Sequence, residues 1–219
     1  MLRYSDLVGK GDFVVEIGAH IGYVSLYFAY LIGPEGYLIA FEPGPNNLPY
    51  LRRNAISNPR IAIVERAVTD YVGSVRFYVD NHSGQNSSLV EGHDVTGGDG
   101  RPTDPSSVDE SIIDVPCTSL DAFLNRLDVP APSLVKIDVE GAELSVLRGM
   151  LDTLRKNGIA LMVEVTRKAP DVWSLLRGAG FLLFRPNGSP INRVEDMKGN
   201  VFCVKGNDDR VEIFSSHTL

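Results

Sequence analysis

Short, uninterrupted apolar runs alternate along the chain with segments in which apolar residues recur every three or four positions. The runs cover residues 13–17, 37–41, 61–64, 134–137, 159–165, 181–184 and 201–204, most of them bounded by Gly, Pro or Asn. Runs of that length and setting predict strands buried on both faces. Segments of helical period lie between them, at 23–31, 46–56, 120–127, 142–156 and 172–179. The clearest is 142–156, where Leu144, Leu147, Leu151 and Leu154 share one face, Arg155 and Lys156 suit the C-terminal dipole and Gly158 closes the helix. Thr118 or Ser119 is placed to cap the helix that begins at Leu120. Strand and helix in alternation predict an α/β fold, a mostly parallel sheet covered by helices on both faces, which binds ligands outside the carboxyl ends of its strands.

One stretch breaks the pattern. Residues 81–114 are polar, rich in Gly, Ser and Asp, and far longer than an ordinary connection of about 4–6 residues. They read as an insertion in a single domain spanning 1–219, either disordered in part or serving as a lid. A formal net charge of -7 argues against nucleic acid as a partner, because phosphate binding calls for clustered Lys and Arg. No run approaches the roughly 18 apolar residues of a membrane helix, and the N-terminus lacks the apolar core of a secretory signal, so a cytoplasmic protein without a membrane partner is expected. Cys117 and Cys203 lie in apolar, strand-like surroundings, which favours buried free thiols. His82, His93 and His217 fall in loop or tail and read as solvent-exposed.

Candidate chemistry gathers at strand ends. The first run leads through Glu16 into Gly18 and Gly22 and then a helical segment. Glycines between a strand and a helix N-terminus let a ligand approach the backbone closely. The dinucleotide fingerprint fails, because His20 stands where its second glycine is needed, and the phosphate-loop pattern fails because no Gly-Lys-Ser/Thr follows Gly22. Glu42 ends the next run about 20 residues past the second glycine, where an acid can accept both hydrogen bonds of a ribose diol. A ribose without a pyrophosphate fits S-adenosylmethionine.

The blocks VVEIGAHIGYVSL, LIAFEPGP, VPCTSLDAFL and, above all, LVKIDVEGAELSVLRGM resemble the FkbM-type family of S-adenosylmethionine-dependent methyltransferases, from about residue 11 to 205. The resemblance implies a class I, Rossmann-like methyltransferase fold: a seven-stranded, mostly parallel sheet with helices on both faces and an antiparallel last strand. It also implies O-methylation of hydroxyls on small molecules, natural products or sugars, with S-adenosylhomocysteine as the product of the cofactor. Family members usually carry more chain before the first strand, which shifts weight for closing the site to residues 81–114.

Cofactor contacts are expected from Glu16, Gly18, His20, Gly22, Ser25, Glu42, Pro43, Ala67, Val68 and Asp138. Glu16 either binds the cofactor or caps N–H groups of the turn, and Ser25 either meets the cofactor carboxylate or bonds its own helix. An aliphatic hydroxyl needs a proton acceptor, for which Asp138 and Glu140 lead and His20 is runner-up. Lys136 and Glu164 are expected near the substrate, with Lys136 alternatively an ion-pair partner of Glu140 or Glu164. Glu143 reads as a first-turn helix acid. A divalent metal held by these carboxylates is conceivable but not favoured, because a sulfonium and a base already account for them. Two other readings share parts of the pattern, a nicotinamide-dependent oxidoreductase and a cofactor-binding module without turnover.

Overall fold

In a computed structural model, described for residues 4–80, 87–89 and 110–216, each apolar run forms a strand and all seven join one sheet. In chain order the strands and helices are β1 Phe13–Ile17, α1 Tyr23–Ile32, β2 Tyr37–Phe41, α2 Leu48–Ala55, β3 Ile61–Val64, β4 Ala67–Val68, β5 Gly73–Asp80, β6 Glu110–Thr118, α3 Leu120–Leu127, β7 Leu134–Ile137, α4 Glu143–Arg148, α5 Leu151–Arg155, β8 Ala160–Val165, α6 Ala169–Gly178, β9 Phe181–Phe184, β10 Gly199–Lys205 and α7 Val211–Ser216. The main sheet runs β3-β2-β1-β7-β8-β10-β9. Only β10 opposes its neighbours, pairing antiparallel with β8 and β9. The order reverses between β1 and β7, and that crevice, at the carboxyl ends of both, is where ligands bind in open α/β sheets.

Two apolar layers sandwich the sheet. Val15, Ile17, Val135, Ile137, Leu161 and Val163 pack against α3 to α6 on one face. Val14, Leu134, Ala160 and Met162 meet Phe28 and Ile32 of α1, Leu7 and Val8 of the N-terminal segment, and Phe214 of α7 on the other. Side chains alternate along a strand, so Glu16 and Lys136 share that second face. They also stand opposite one another in the β1–β7 register. No helix among the described residues is long and apolar enough to cross a membrane.

Three features differ from the expectation. The helix 142–156 is broken at Gly149 and Met150 into α4 and α5. A Cβ on Gly149 would lie 1.9 Å from the Thr69 carbonyl oxygen, so the close crossing after β4 takes precedence over a leucine stripe that keeps helical phase through the break. A second sheet, β4-β6-β5, was not expected, and its β6, Glu110–Thr118, takes residues 110–114 out of the predicted insertion. β5 and β6 pair antiparallel along their full length, burying Phe77, Val79, Val115 and Cys117. Most of the insertion, with His82 and His93, lies outside the described residues, as does His217. Ser119 is the cap of α3, accepting from Ala122 N, and both cysteines are buried and free.

Candidate active site

β1 ends in a turn that only a permissive residue can make so close to its neighbour. Gly18 has φ +83, and a Cβ there would lie 1.8 Å from the Asp138 carbonyl oxygen, so the chain passes directly beside the end of β7. His20 and Glu140 also adopt left-handed backbone, at φ 52 and 51, without being glycine. Such strain outside glycine concentrates at functional sites. Between these turns and the end of β2 lies a cavity of about 220 Å³.

Glu42 forms part of its wall. The side chain is nearly fully buried, and its carboxylate is aimed by three donors: His20 N at 2.8 Å, Gly44 N at 2.8 Å and Asn47 Nδ2 at 3.1 Å. Oε2 takes only one of these bonds, which leaves it able to accept from a ligand. Phe41, Val68, Phe77 and Leu89 supply apolar wall, and Pro43 and Ala67 complete that end. The His20 Nε2 is buried without a hydrogen-bond partner among the described residues. A pre-aimed carboxylate beside an apolar slot and an unsatisfied ring nitrogen is the donor set that adenosine calls for, so the residues present fit S-adenosylmethionine.

At the other end stand Asp138, Glu140 and Glu164, each offering a carboxylate oxygen within 4.8 Å of the other two. Their meeting follows from register. Ile137 pairs with Val163, so Asp138 and Glu164 are the next rung on adjacent strands, and both project from the face that carries Lys136. Lys136 Nζ lies 3.2 Å from Asp138 Oδ2 and 3.4 Å from Glu16 Oε1, and donates to Gly18 O at 2.9 Å. Burial pulls its pKa down, but the charges of Glu16 and Asp138 outweigh that and hold it above the usual lysine range. Burial pushes Glu164 up to about 8, with a hydrogen bond to Asp138 and the charges of Asp138 and Glu140 adding to it. Such an oxygen cluster is of a kind that can take a divalent cation. Here Lys136, 3.2 Å from Asp138, already offsets part of its charge.

Of the expected site residues, Gly18, His20, Glu42, Pro43, Ala67, Val68, Asp138, Glu140 and Glu164 line the cavity. Glu16, Ser25, Gly22 and Lys136 do not. Glu16 is fully buried and accepts 2.5 Å from Ser25 Oγ, so the Ser25 hydroxyl donates to Glu16 and not to its own helix turn. Burial pushes the Glu16 carboxyl up, while Lys136 and Ser25 oppose that. Lys136 pairs with Glu16 and Asp138, not with Glu140 or Glu164, because strand pairing sets its neighbours and it lies beneath the cavity floor. Gly22 starts α1 at φ +85 against Leu51, a packing position. Glu143 is a first-turn acid as expected, accepting from Gly141 N and Thr166 Oγ1 to brace the turn after β7.

Residues missed from the sequence are Asn47, Arg66, Phe77, Ser87 and Leu89 of the lining. Ser88, beside two of them, donates to the Glu140 carbonyl at 2.6 Å and ties the start of the insertion to the site. Tyr4 was missed too. It packs edge-on against Phe28 at 4.7 Å, and its phenol, raised in pKa by burial, lies within electrostatic range of Lys136, Glu16, Asp138 and Glu164. An aromatic residue just before the apolar pair Leu7 and Val8 was the signal for it.

Residues 16–183 match the family described as the methyltransferase FkbM domain. The chain is 30% identical over 203 residues to the 31-O-demethyl-FK506 methyltransferase FkbM of Streptomyces tacrolimicus, covering 82% of this chain and 76% of that one. It is 27% identical over 171 residues to the hexuronic acid methyltransferase AglP of Haloferax volcanii, covering 78% of this chain and 63% of that one. Among solved structures, a methyltransferase FkbM from Methylobacillus flagellatus superposes with a TM-score of 0.54 at 17% identity, over 93% of this chain and 45% of that chain. An S-adenosylmethionine-dependent O-methyltransferase from Thermotoga maritima gives 0.50 at 13% identity, over 90% and 60%. These two likenesses speak to the fold. The chain therefore belongs to the FkbM methyltransferase family and is an enzyme that takes S-adenosylmethionine as its methyl donor.

Proposed function

We propose that the chain, read as one methyltransferase domain across 1–219, methylates a hydroxyl on a small molecule, natural product or sugar. The observation that carries this reading is one cavity with two unlike ends, a carboxylate aimed for a ribose diol at Glu42 and a cluster of carboxylates, Asp138, Glu140 and Glu164, at the other. Relatives whose names specify oxygen methylation, including a 2-O-methyltransferase NoeI of Sinorhizobium fredii, support the choice of a hydroxyl. The net charge of -7 supports a small acceptor over nucleic acid.

When bound, the cofactor supplies an electrophilic methyl on a sulfonium. The protein's share is alignment and proton handling. Glu42 holds the ribose, while Pro43, Ala67 and Val68 pack the base, and the Gly18 to His20 turn lets the ligand close on the backbone. The carboxylate cluster faces the place where an acceptor hydroxyl must lose its proton, with Asp138 and Glu140 as candidates from the end of β7 and His20 from the turn. Lys136, Glu16, Ser25 and Gly22 hold this frame from beneath.

Calorimetry with S-adenosylmethionine, S-adenosylhomocysteine and NAD tests the reading. Binding of the first two at micromolar affinity is expected, together with transfer of labelled methyl to a hydroxyl compound from a cell extract. Binding of NAD alone would replace it with an oxidoreductase.

A further inference from the structure

We propose that Glu164 is the proton-accepting group of this site, held uncharged in the resting protein and ionised when a cationic ligand enters beside it. The inference rests on the methyltransferase reading above. Asp138 is the less suitable acceptor, because Lys136 sits 3.2 Å from its Oδ2 and already engages that carboxylate. Glu164, one rung along on β8, forms no ion pair with an ammonium among the described residues, since the contacts of Lys136 go to Asp138, Glu16 and the Gly18 carbonyl. Three carboxylates within 4.8 Å cannot all ionise without mutual repulsion. Burial and the charges of its two neighbours press Glu164 to keep its proton.

Among the described residues, the groups that act on Glu164 are Asp138 and Glu140 from the end of β7, Lys136 within β7, and Tyr4 from the N-terminal turn. Glu16 of β1 lies further along the same face, beyond Lys136. From β10, Asn200 stands opposite Glu164 in register and carries no charge. The Tyr4 phenol stays neutral because burial raises it. Among the described residues, the charges of Asp138 and Glu140 push Glu164 toward its protonated form and Lys136 opposes them. Its pKa of about 8 follows from that arrangement and lies close to the working pH that suits a general base.

A positive charge arriving at the cluster reverses the balance. Glu164 then gives its proton to solvent and becomes a carboxylate, which takes the acceptor's hydroxyl proton as the new oxygen–carbon bond forms and the carbon–sulfur bond breaks to leave a neutral thioether. Asp138 and Lys136 act as positioning residues, fixing the carboxyl that ionises.

The sulfonium cofactor and its neutral product differ by one charge at that point, so their binding separates this behaviour from a structural role without any acceptor. Calorimetry at pH 7.5 in two buffers of unlike ionisation enthalpy should show roughly half to three-quarters of a proton released per S-adenosylmethionine bound and almost none for S-adenosylhomocysteine. Glu164→Gln should abolish the difference while leaving S-adenosylhomocysteine affinity within about twofold. In ligand-free protein carrying 13C-carboxyl glutamate, one carboxyl should titrate near pH 8 and vanish in Glu164→Gln. Asp138→Asn should lower that titration. Equal proton release for both ligands, release that persists in Glu164→Gln, or glutamates that all titrate below pH 6 would overturn the proposal. So would micromolar Mg²⁺ binding that displaces the same proton, which would make the cluster a metal site. Failure of both cofactor forms to bind is a separate result, and it would remove the proposed function itself.

Discussion

Glu16 and Glu164 stand on the same face of the same sheet with β7 between their strands, yet the fold treats them oppositely. Glu16 is sealed under α1, bonded by Ser25 and paired with Lys136, and has no access to the cavity. Glu164 lines the cavity, half-buried, beside two other carboxylates and, among the described residues, in no ion pair with a cation. A buried carboxylate with an ammonium partner is a fixed part of the frame. One placed among like charges at a cavity edge becomes a group that titrates. The difference lies in the lysine's position: one residue of β7 holds Glu16 and Asp138 together and leaves Glu164 out.

Removing that lysine should break the contrast with the largest effect. Lys136→Met strands Glu16 as an uncompensated buried charge, and breaking a buried pair costs about 3–5 kcal/mol. Urea unfolding should show a loss of that order. The double variant Glu16→Gln/Lys136→Met should recover most of it, because neither charge is then left alone. If the double variant were as unstable as the single one, the ion pair would not be what holds β1 to β7.

Glu42 sharpens the comparison as an intermediate case, pinned by protein donors yet open to the cavity. Glu42→Gln should weaken S-adenosylhomocysteine binding by about 1.5–3 kcal/mol, the range for hydrogen bonds to a charged group. Calorimetry reads this directly. Unchanged affinity would move the ribose to another wall of the cavity. Part of any loss would come from the turn, since His20 N and Gly44 N both rely on the same carboxylate; a rise in hydrogen exchange at those two amides would measure that part.

The main sheet was legible because its strands are doubly buried and announce themselves as apolar runs. That Glu42 and Asp138 would line one cavity was legible because strand ends meet at one edge. The second sheet was not. β5 alternates Val75, Phe77 and Val79 with polar residues, but its partner β6 begins thirty residues beyond its end and mixes acids and Pro116 into the strand. The break between α4 and α5 comes from the approach to Thr69, which no local pattern records. Glu16 and Ser25 were misplaced for a related reason. Sequence puts an acid near a strand end, but only the register with Lys136 and the cover of α1 decide that it points into the layer below the cavity.

The smallest expected effect lies in the pH dependence of stability. Glu164 has a folded-state value of about 8, against 4.5 in the absence of its surroundings. The folded protein therefore binds this proton more tightly than the unfolded chain, and stability from this group is present below about 4.5 and lost as pH rises toward 8. Glu164→Gln removes the titration. Above pH 8 the variant should melt about 2–4 °C higher than the wild type, as expected for roughly 1 kcal/mol in a chain of this length, with solvent at the half-buried site keeping the effect small. As the pH is lowered from 8, the gap should close, since the wild-type carboxyl becomes neutral as well. Thermal melts of both proteins at half-unit steps from pH 5 to 9 test this. Parallel curves would mean that Glu164 is ionised throughout, as stably paired as Glu16, and the contrast between the two carboxylates would disappear.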